Sequence, residues 1–148
     1  MDYTSTFKSK YNCALIADAA FRAGAELIMA PSSLLPVAPQ MKLSGPVTIV
    51  QANNDLISIL AALHRAQQGD IIVIANPVTE VALLGDLIAL EAKRKRLGGM
   101  VVDGFVRDVS DLIEIDVPIF CKGVCPVGPL KLPKAEKGFC QIGTEVVI

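Results

Sequence analysis

The sequence predicts an α/β fold in a single domain, and three observations support this prediction. Segments with helical periodicity alternate with short, β-branched apolar segments along the chain. Residues 70–76, "DIIVIAN", form an apolar run typical of a strand that is buried on both faces of a sheet. The length of 148 residues suits one domain with a sizeable core, and no repeat or change in composition divides it.

Each predicted element has its own local signal. The first helix, at 12–25, begins with Asn12 as its cap and closes near Gly24. Residues 31–46 contain four prolines and are expected to form a connecting loop with little regular structure. After the loop, the sequence predicts a strand at 46–52, a capped helix from 53 to Gly69 and a strand at 70–76. A helix from Asp86 to Leu97 follows, stopped by Gly98 and Gly99. The remaining predicted elements are a strand at 100–106, a short helix at 109–116, a strand at 117–123 and a β-like end at 138–148.

Composition and charge exclude several classes of function. The net charge of −1 provides no basic field for a nucleic-acid backbone, and the cluster Lys93–Arg96 is interpreted as a solvated helix end. No apolar run approaches the roughly 18 residues that a membrane span requires. The polar start, Met1-Asp2-Tyr3, does not resemble a signal peptide, so we expect a cytoplasmic protein. Hydrophobic residues make up 52% of the chain, and this excess indicates surface that is buried between subunits.

The cysteines give little indication of a zinc site or of disulfides. Without export, Cys13, Cys121, Cys125 and Cys140 are expected to be reduced. Cys121 and Cys125 have C-x₃-C spacing, but the single histidine, His64, is distant in sequence. His64 falls in a helical segment and is predicted to be a helix-surface residue.

Charged residues converge at one predicted edge of the sheet. The helix that begins at Asp86 rises about 17 Å, and the strand that follows returns about 20 Å. Arg107 and Asp108 should therefore arrive close to Asp86, at the edge where ligands of open α/β sheets collect. The first turn of the helix also offers the free backbone N–H groups of Leu87 and Ile88 to an anion.

Two interpretations of these charges remain open on spacing alone. Asp86 could be the N-cap of its helix, and Asp108 could cap the short helix with Asp111 three residues later. Arg107 could then pair with either acid. Alternatively, the same residues form the walls of a site, and the two interpretations are compatible with each other.

Longer motifs resemble a known family. The segment "GDIIVIANPVTEVALLGDLIALEAKRKRLGGMVVDGFVRDVSDLIEIDVPIFCKGVCPVGP" is similar to the core of the RraA-like family, which includes a regulator of ribonuclease E and the 4-hydroxy-4-methyl-2-oxoglutarate aldolases. "IADAAFRAG" and "LSGPVTIVQANND" resemble its opening helix and first strand. The enzymes of this family are marked by an Asp, twenty intervening residues and then Arg-Asp, and Asp86, Arg107 and Asp108 match that spacing. The resemblance implies a domain of the swivelling β/β/α type.

The resemblance also implies an activity. It implies a lyase that depends on Mg²⁺ or Mn²⁺, cleaves 4-hydroxy-2-oxo acids to pyruvate by a retro-aldol reaction, and decarboxylates oxaloacetate. Asp108 would hold the metal and Asp86 would act through a metal-bound water. Arg107 would bind the 2-keto acid, helped by Gly85 and by the amides of Leu87 and Ile88. The family also implies a homotrimer or a multiple of it. Both reactions need the charge of a pyruvate enolate to be stabilised, which a metal and an arginine can supply.

The end of the chain departs from the family pattern. Family members continue through a Gly- and Asp-containing segment that lends an acid to a neighbouring subunit, whereas this chain stops at Glu145–Ile148. The domain at 1–148 is therefore expected to be shortened at its C-terminus, with weakened retro-aldol activity and retained decarboxylation, which needs no such base.

Two other functions remain as alternatives. Lys122, near the end of a predicted strand, could form a Schiff base in a metal-independent aldolase. A non-enzymatic regulator that binds a ribonuclease or helicase would not need the acid–arginine–acid set.

Overall fold

One mixed sheet, covered by helices, carries the site. The computed structural model describes residues 11–76 and 81–129 and the backbone of residues 141–142. Within these ranges no helix is long and apolar enough to cross a membrane. The elements are α1 (Cys13–Ala23), β1 (Leu35–Pro36), β2 (Val47–Gln51), α2 (Leu56–Arg65), β3 (Ile71–Ala75), β4 (Ala82–Leu84), α3 (Asp86–Arg94), β5 (Gly99–Val106), α4 (Val109–Ile115), β6 (Ile119–Val124) and β7 (Gln141–Ile142). The predicted α/β class is confirmed.

The strands lie in the order β1-β6-β5-β3-β2-β7, with β4 also paired to β5. The pairs β2–β3, β3–β5, β4–β5 and β5–β6 are parallel. The short strands β1 and β7 are antiparallel to their neighbours. All four parallel strands that were predicted are present, so their carboxyl ends share one edge of the sheet.

Strand β4 was not predicted from the sequence. It pairs with the end of β5, where Ala82 lies opposite Phe105 and Leu84 opposite Val106. Strand β3 pairs with the earlier part of β5, up to Ala75 opposite Asp103, while β6 occupies the other side. β3 and β4 therefore follow one another along the same side of β5. Three residues are too few to show strand periodicity, which explains why the pattern gave no signal.

The core lies between the sheet and helices α2, α3 and α4. Every residue of β3 is buried, which confirms the prediction of a strand covered on both faces. The largest fully buried side chains of this core come from several elements: Ile59 and Leu63 of α2, Ile72 and Ile74 of β3, Met100 of β5, Leu112 of α4 and Ile119 of β6.

Helix ends are determined by local hydrogen bonds as well as by glycine. α1 begins at the predicted cap, because Asn12 accepts the backbone N–H of Leu15, and it closes at Gly24 in the left-handed region. α2 was predicted to continue to Gly69 but ends at Arg65. α3 was predicted to continue to Leu97 but ends at Arg94.

The early end of α3 has a clear cause. Leu97 donates its N–H to the carbonyl of Ala92, and Arg96 donates to that of Lys93. These are the bonds of a Schellman motif. Arg96, at φ 56°, takes the left-handed position that glycine usually occupies, so the helix stops before the glycine pair.

Candidate functional site

Helix α3 starts at the shared edge of the sheet without a side-chain cap. Gly85 is its N-cap residue and Asp86 its first helical residue. The carbonyl of Gly85 accepts the N–H of Ala89, so the N–H groups of the first turn have no partner within the helix. Leu87, in this turn, is largely exposed. The site therefore offers backbone donors at the positive end of a helix.

Strand β5 brings two charged residues to the same place. The N–H of Arg107 donates to the carbonyl of Leu84 at 2.9 Å, which fixes the end of β5 beside the start of α3. Asp108 follows with φ 58° and ψ 41°. Its Oδ2 lies 3.5 Å from the backbone N of Asp86 and 3.3 Å from Nε of Arg107. The predicted proximity of Asp86, Arg107 and Asp108 is confirmed.

The structure decides against simple capping roles for the two acids. The N-cap position of α3 belongs to Gly85, so Asp86 does not cap that helix. Asp108 stands at the N-cap of α4, but its side chain makes no hydrogen bond to that helix. Its carboxylate turns instead toward α3 and Arg107. The interpretation of Asp108 as a side-chain cap of α4 is therefore wrong.

Gly85 fits this site because it has no side chain. A Cβ at this position would lie 2.5 Å from Oδ2 of Asp108 and 3.2 Å from both Cγ and Nε of Arg107. The φ of Gly85 is −143°, an ordinary extended value. Glycine is required here because a side chain would collide with Asp108 and Arg107, and not because the backbone adopts a conformation that only glycine allows.

A cleft of about 100 Å³ opens beside Gly85, Asp86 and Arg107, and Asp108 is not among its lining residues. It combines an apolar wall with one acid, one guanidinium and the start of a helix, which is the composition expected of a site for a small polar ligand. Its lining residues are Leu56, Ala82, Leu83, Leu84, Gly85, Asp86, Leu87, Ile88, Arg107 and Pro129.

The oxygen atoms at this edge suit a hard divalent cation. Within the described ranges, no hydrogen bond or ion pair to another residue engages the carboxylate of Asp86, while Asp108 contacts Arg107 and the N–H of Asp86 through Oδ2. The described residues contain no group of three or more His, Cys, Asp or Glu side chains that could hold a metal. Two carboxylates fit Mg²⁺, which keeps several waters, better than they fit a protein-enclosed structural zinc.

Lys122 has a partner outside the cleft. Its ammonium forms an ion pair with the buried Asp103 of the neighbouring strand, at the irregularity of register between β5 and β6. It is not among the residues that line the cleft. An ammonium held by a buried carboxylate is a poor candidate for a Schiff-base nucleophile.

The other residues considered from the sequence lie away from the site or apart from one another. His64 is exposed on α2, as predicted. No disulfide joins Cys13, Cys121 and Cys125 within the described residues, and burial raises the pKa of Cys121. Cys140 lies outside the described residues.

Sequence reasoning missed two residues of the site. Pro129 lines the cleft, and Gly128 packs against the guanidinium of Arg107. Both follow β6, so their position after a parallel strand was a signal that they belong to the same edge.

Comparison with curated proteins identifies relatives that carry an enzyme name. The chain is 36% identical over 94 residues to a protein of Halalkalibacterium halodurans, covering 62% of this chain and 45% of that protein. It is 32% identical over 94 residues to a protein of Bacillus anthracis, covering 63% and 59%. Both relatives bear 4-hydroxy-4-methyl-2-oxoglutarate aldolase as a provisional name. The chain thus spans about half the length of these two relatives.

Solved structures share the fold. A structure from Geobacillus kaustophilus, titled an S-adenosylmethionine:2-dimethylmenaquinone methyltransferase, matches with a TM-score of 0.72 at 26% identity, covering 84% of this chain and 76% of that one. The RNA-processing inhibitor RraA from Thermus thermophilus matches with a TM-score of 0.70 at 23% identity, covering 80% and 72%.

The family model described as RraA-like, Aldolase/RraA, matches residues 13–148. That range contains the strands, the helices and the cleft described above. The chain belongs to the RraA-like family.

Proposed function

We propose that this protein is a divalent-metal-dependent lyase acting on small 2-keto acids. It would cleave 4-hydroxy-2-oxo acids of the 4-hydroxy-4-methyl-2-oxoglutarate type to pyruvate, and it would decarboxylate oxaloacetate. The observation that carries the proposal is the meeting of Asp86, Arg107 and Asp108 at the start of α3, where the carboxylate of Asp108 turns away from its own helix α4. The aldolase names of the relatives support a lyase.

Arg107 and the first turn of α3 would bind different oxygen atoms of the substrate. Nε of Arg107 lies 3.3 Å from Oδ2 of Asp108 in an ion pair. The two terminal nitrogens of the guanidinium would form a planar fork toward a carboxylate or keto oxygen. The backbone N–H groups of Leu87 and Ile88 can donate to a second anionic oxygen. The apolar wall of the cleft excludes water from one side of the ligand, which strengthens these contacts.

The carboxylates suit a metal. Asp108 would hold Mg²⁺ or Mn²⁺ directly and Asp86 through water, and the bound cation would act as a Lewis acid toward the substrate oxygens. In oxaloacetate the C3–C4 bond breaks, CO₂ leaves, and the electron pair passes into the enolate of pyruvate, which then takes a proton at C3. Arg107 would stabilise the charge of that enolate as it forms.

Exposed apolar side chains support a homo-oligomer, which we propose to be a trimer or a multiple of it. None of the residues of α1 is buried. On this helix and the segment after it, Phe21, Ile28 and Met29 are 86%, 91% and 79% exposed. Large exposed apolar side chains of this kind, where they form a patch, mark a protein interface. The reduced thiols of Cys13 and Cys121 support a reducing, cytoplasmic location.

An assay of oxaloacetate decarboxylation, with Mg²⁺, with Mn²⁺ and after EDTA treatment, tests the proposal. We expect activity with either cation and its loss after chelation. Activity that survives EDTA and is trapped by borohydride on pyruvate would instead indicate the Schiff base of Lys122.

A regulator that binds a ribonuclease or helicase is the second candidate function. It is favoured by the similarity to a Streptomyces coelicolor structure, titled RraAS2 and an unusual member of the RNase ES inhibitor RraA family, at 25% identity and a TM-score of 0.67. A pure binding protein would be inactive in the assay with either cation.

A further inference from the structure

A glycine that follows strand β6 supports the side chain of Arg107. A Cβ at Gly128 would lie 3.0 Å from Nη1 and 3.7 Å from Cζ of Arg107. The first distance is tighter than most real Cβ contacts, so the guanidinium would have to move by a few tenths of an ångström. Gly128 is not at a positive φ that would by itself require glycine.

The same side chain is bounded by a second glycine. Gly85 lies near Cγ and Nε of Arg107, and Gly128 lies near its terminal nitrogen. We call this space, between Gly85 and Gly128, the two-glycine slot. Asp108 engages Nε within it. The two-glycine slot therefore limits the movement of the Arg107 side chain from its Cγ to its terminal nitrogens.

The segment that carries Gly128 is fixed to the strands that build the cleft. Cys125 donates its N–H to the carbonyl of Val106 at 2.9 Å, and Ala82 donates to the carbonyl of Val127 at 2.7 Å. These bonds connect residues 125–127 to β5 and β4. These bonds hold the backbone that leads to Gly128 beside the strands that end at Arg107 and at the cleft.

We propose that Gly128 is a positioning residue: it leaves the space in which the terminal nitrogens of Arg107 lie flat and face the carboxylate of a 2-keto acid. This inference rests on the proposed function for the identity of the ligand. Arg107 is 47% exposed at its side chain, so without lateral support its fork would sample many orientations. Preorganisation of such a donor reduces the entropy lost on binding.

Gly128→Ala tests the proposal, and Gly104→Ala is the matched control. A Cβ at Gly104, on the strand that leads to Arg107, would make only ordinary contacts, the nearest at 3.8 Å. In Gly128→Ala we expect the Nε–H NMR signal of Arg107, assigned by its loss in Arg107→Lys, to shift. With Mg²⁺ present, we expect the Kd for oxalate and the KM for oxaloacetate to rise about 3- to 10-fold, because small misplacements of a positioned group are costly.

The effects of the Gly128, Gly104 and Arg107 variants together distinguish a positioning role of Gly128 from a general loss of structure. We expect the melting temperature of Gly128→Ala to stay close to the parent value, and Gly104→Ala to change none of the readouts. In the Arg107→Ala background, Gly128→Ala should have no further effect on oxalate binding. An unchanged Arg107 signal, or a shifted signal with unchanged Kd for oxalate, would overturn the inference. If the parent protein does not decarboxylate oxaloacetate, the proposed function fails, while the signal and the oxalate affinity still decide the role of Gly128.

Discussion

Arg107 owes its proposed role to the shape of its side chain as much as to its charge. Its Nε lies 3.3 Å from Oδ2 of Asp108, and its terminal nitrogens form a planar pair of donors. A lysine provides one point charge and cannot reproduce two parallel donors. We therefore expect both Arg107→Ala and Arg107→Lys to lower decarboxylation at least about 100-fold, the usual effect of losing one positioned donor. Near-normal turnover by folded Arg107→Ala protein would show that Arg107 does not take part in the reaction.

Asp108 offers a direct test of metal binding. Its side chain makes no cap bond in α4, and Asn readily adopts its left-handed backbone, so Asp108→Asn should leave the melting temperature nearly unchanged. The lost charge should abolish Mg²⁺-dependent activity. Asp86→Asn should cause a smaller but clear loss, because its proposed contact is through water. Both are measured as activity against Mg²⁺ concentration.

The neighbouring Asp111 is a matched control for that experiment. It is an exposed acid in the first turn of the same helix. Asp111→Asn should retain the parent dependence on Mg²⁺. The site interpretation fails if Asp108→Asn behaves in the same way.

At the level of helices and strands, the spacing of residues along the sequence predicted the position of the site better than cap and glycine signals predicted the ends of the helices. The helix starting at Asp86 and the strand ending at Val106 were placed well enough to bring Arg107 beside that helix start. Spacing could not decide where the carboxylate of Asp108 points, because one backbone position permits several side-chain orientations. It also could not show that Gly128 meets Arg107, since contacts between distant segments leave no periodic pattern.

The end of α2 is stabilised from another helix. Lys95 donates from Nζ to the carbonyls of Leu63 and His64, which lie in the last turn of α2. These carbonyls have no partner within the helix, and a cation near a helix C-terminus is favourable. We expect Lys95→Ala to lower the free energy of unfolding by about 1 kcal/mol. Lys93→Ala, an exposed position two residues earlier, should change it little; equal effects in denaturant titrations would contradict this role for Lys95.

For the molecule as a whole, the exposed apolar surface on and after α1 predicts self-association. The side chains of Phe21, Ile28 and Met29 are almost fully accessible in a single copy of the chain. Their burial between copies would be favourable at roughly 25 cal/mol per Å². Light scattering at micromolar concentration should give the mass of a trimer or a multiple of it. A clean monomer mass would contradict the proposed assembly.

Strand β5 has partners on both sides over most of its length, β6 on one and β3 followed by β4 on the other. Its amides should therefore be the slowest to exchange with deuterium, and those of α1, which buries no residue, among the fastest. Arg107 and Asp108 follow this strand directly, and Cys125 bonds to its last residue. Fraying of α1 should then leave the contacts of Arg107 and Asp108 intact, and activity in urea should persist until the protection of β5 is lost.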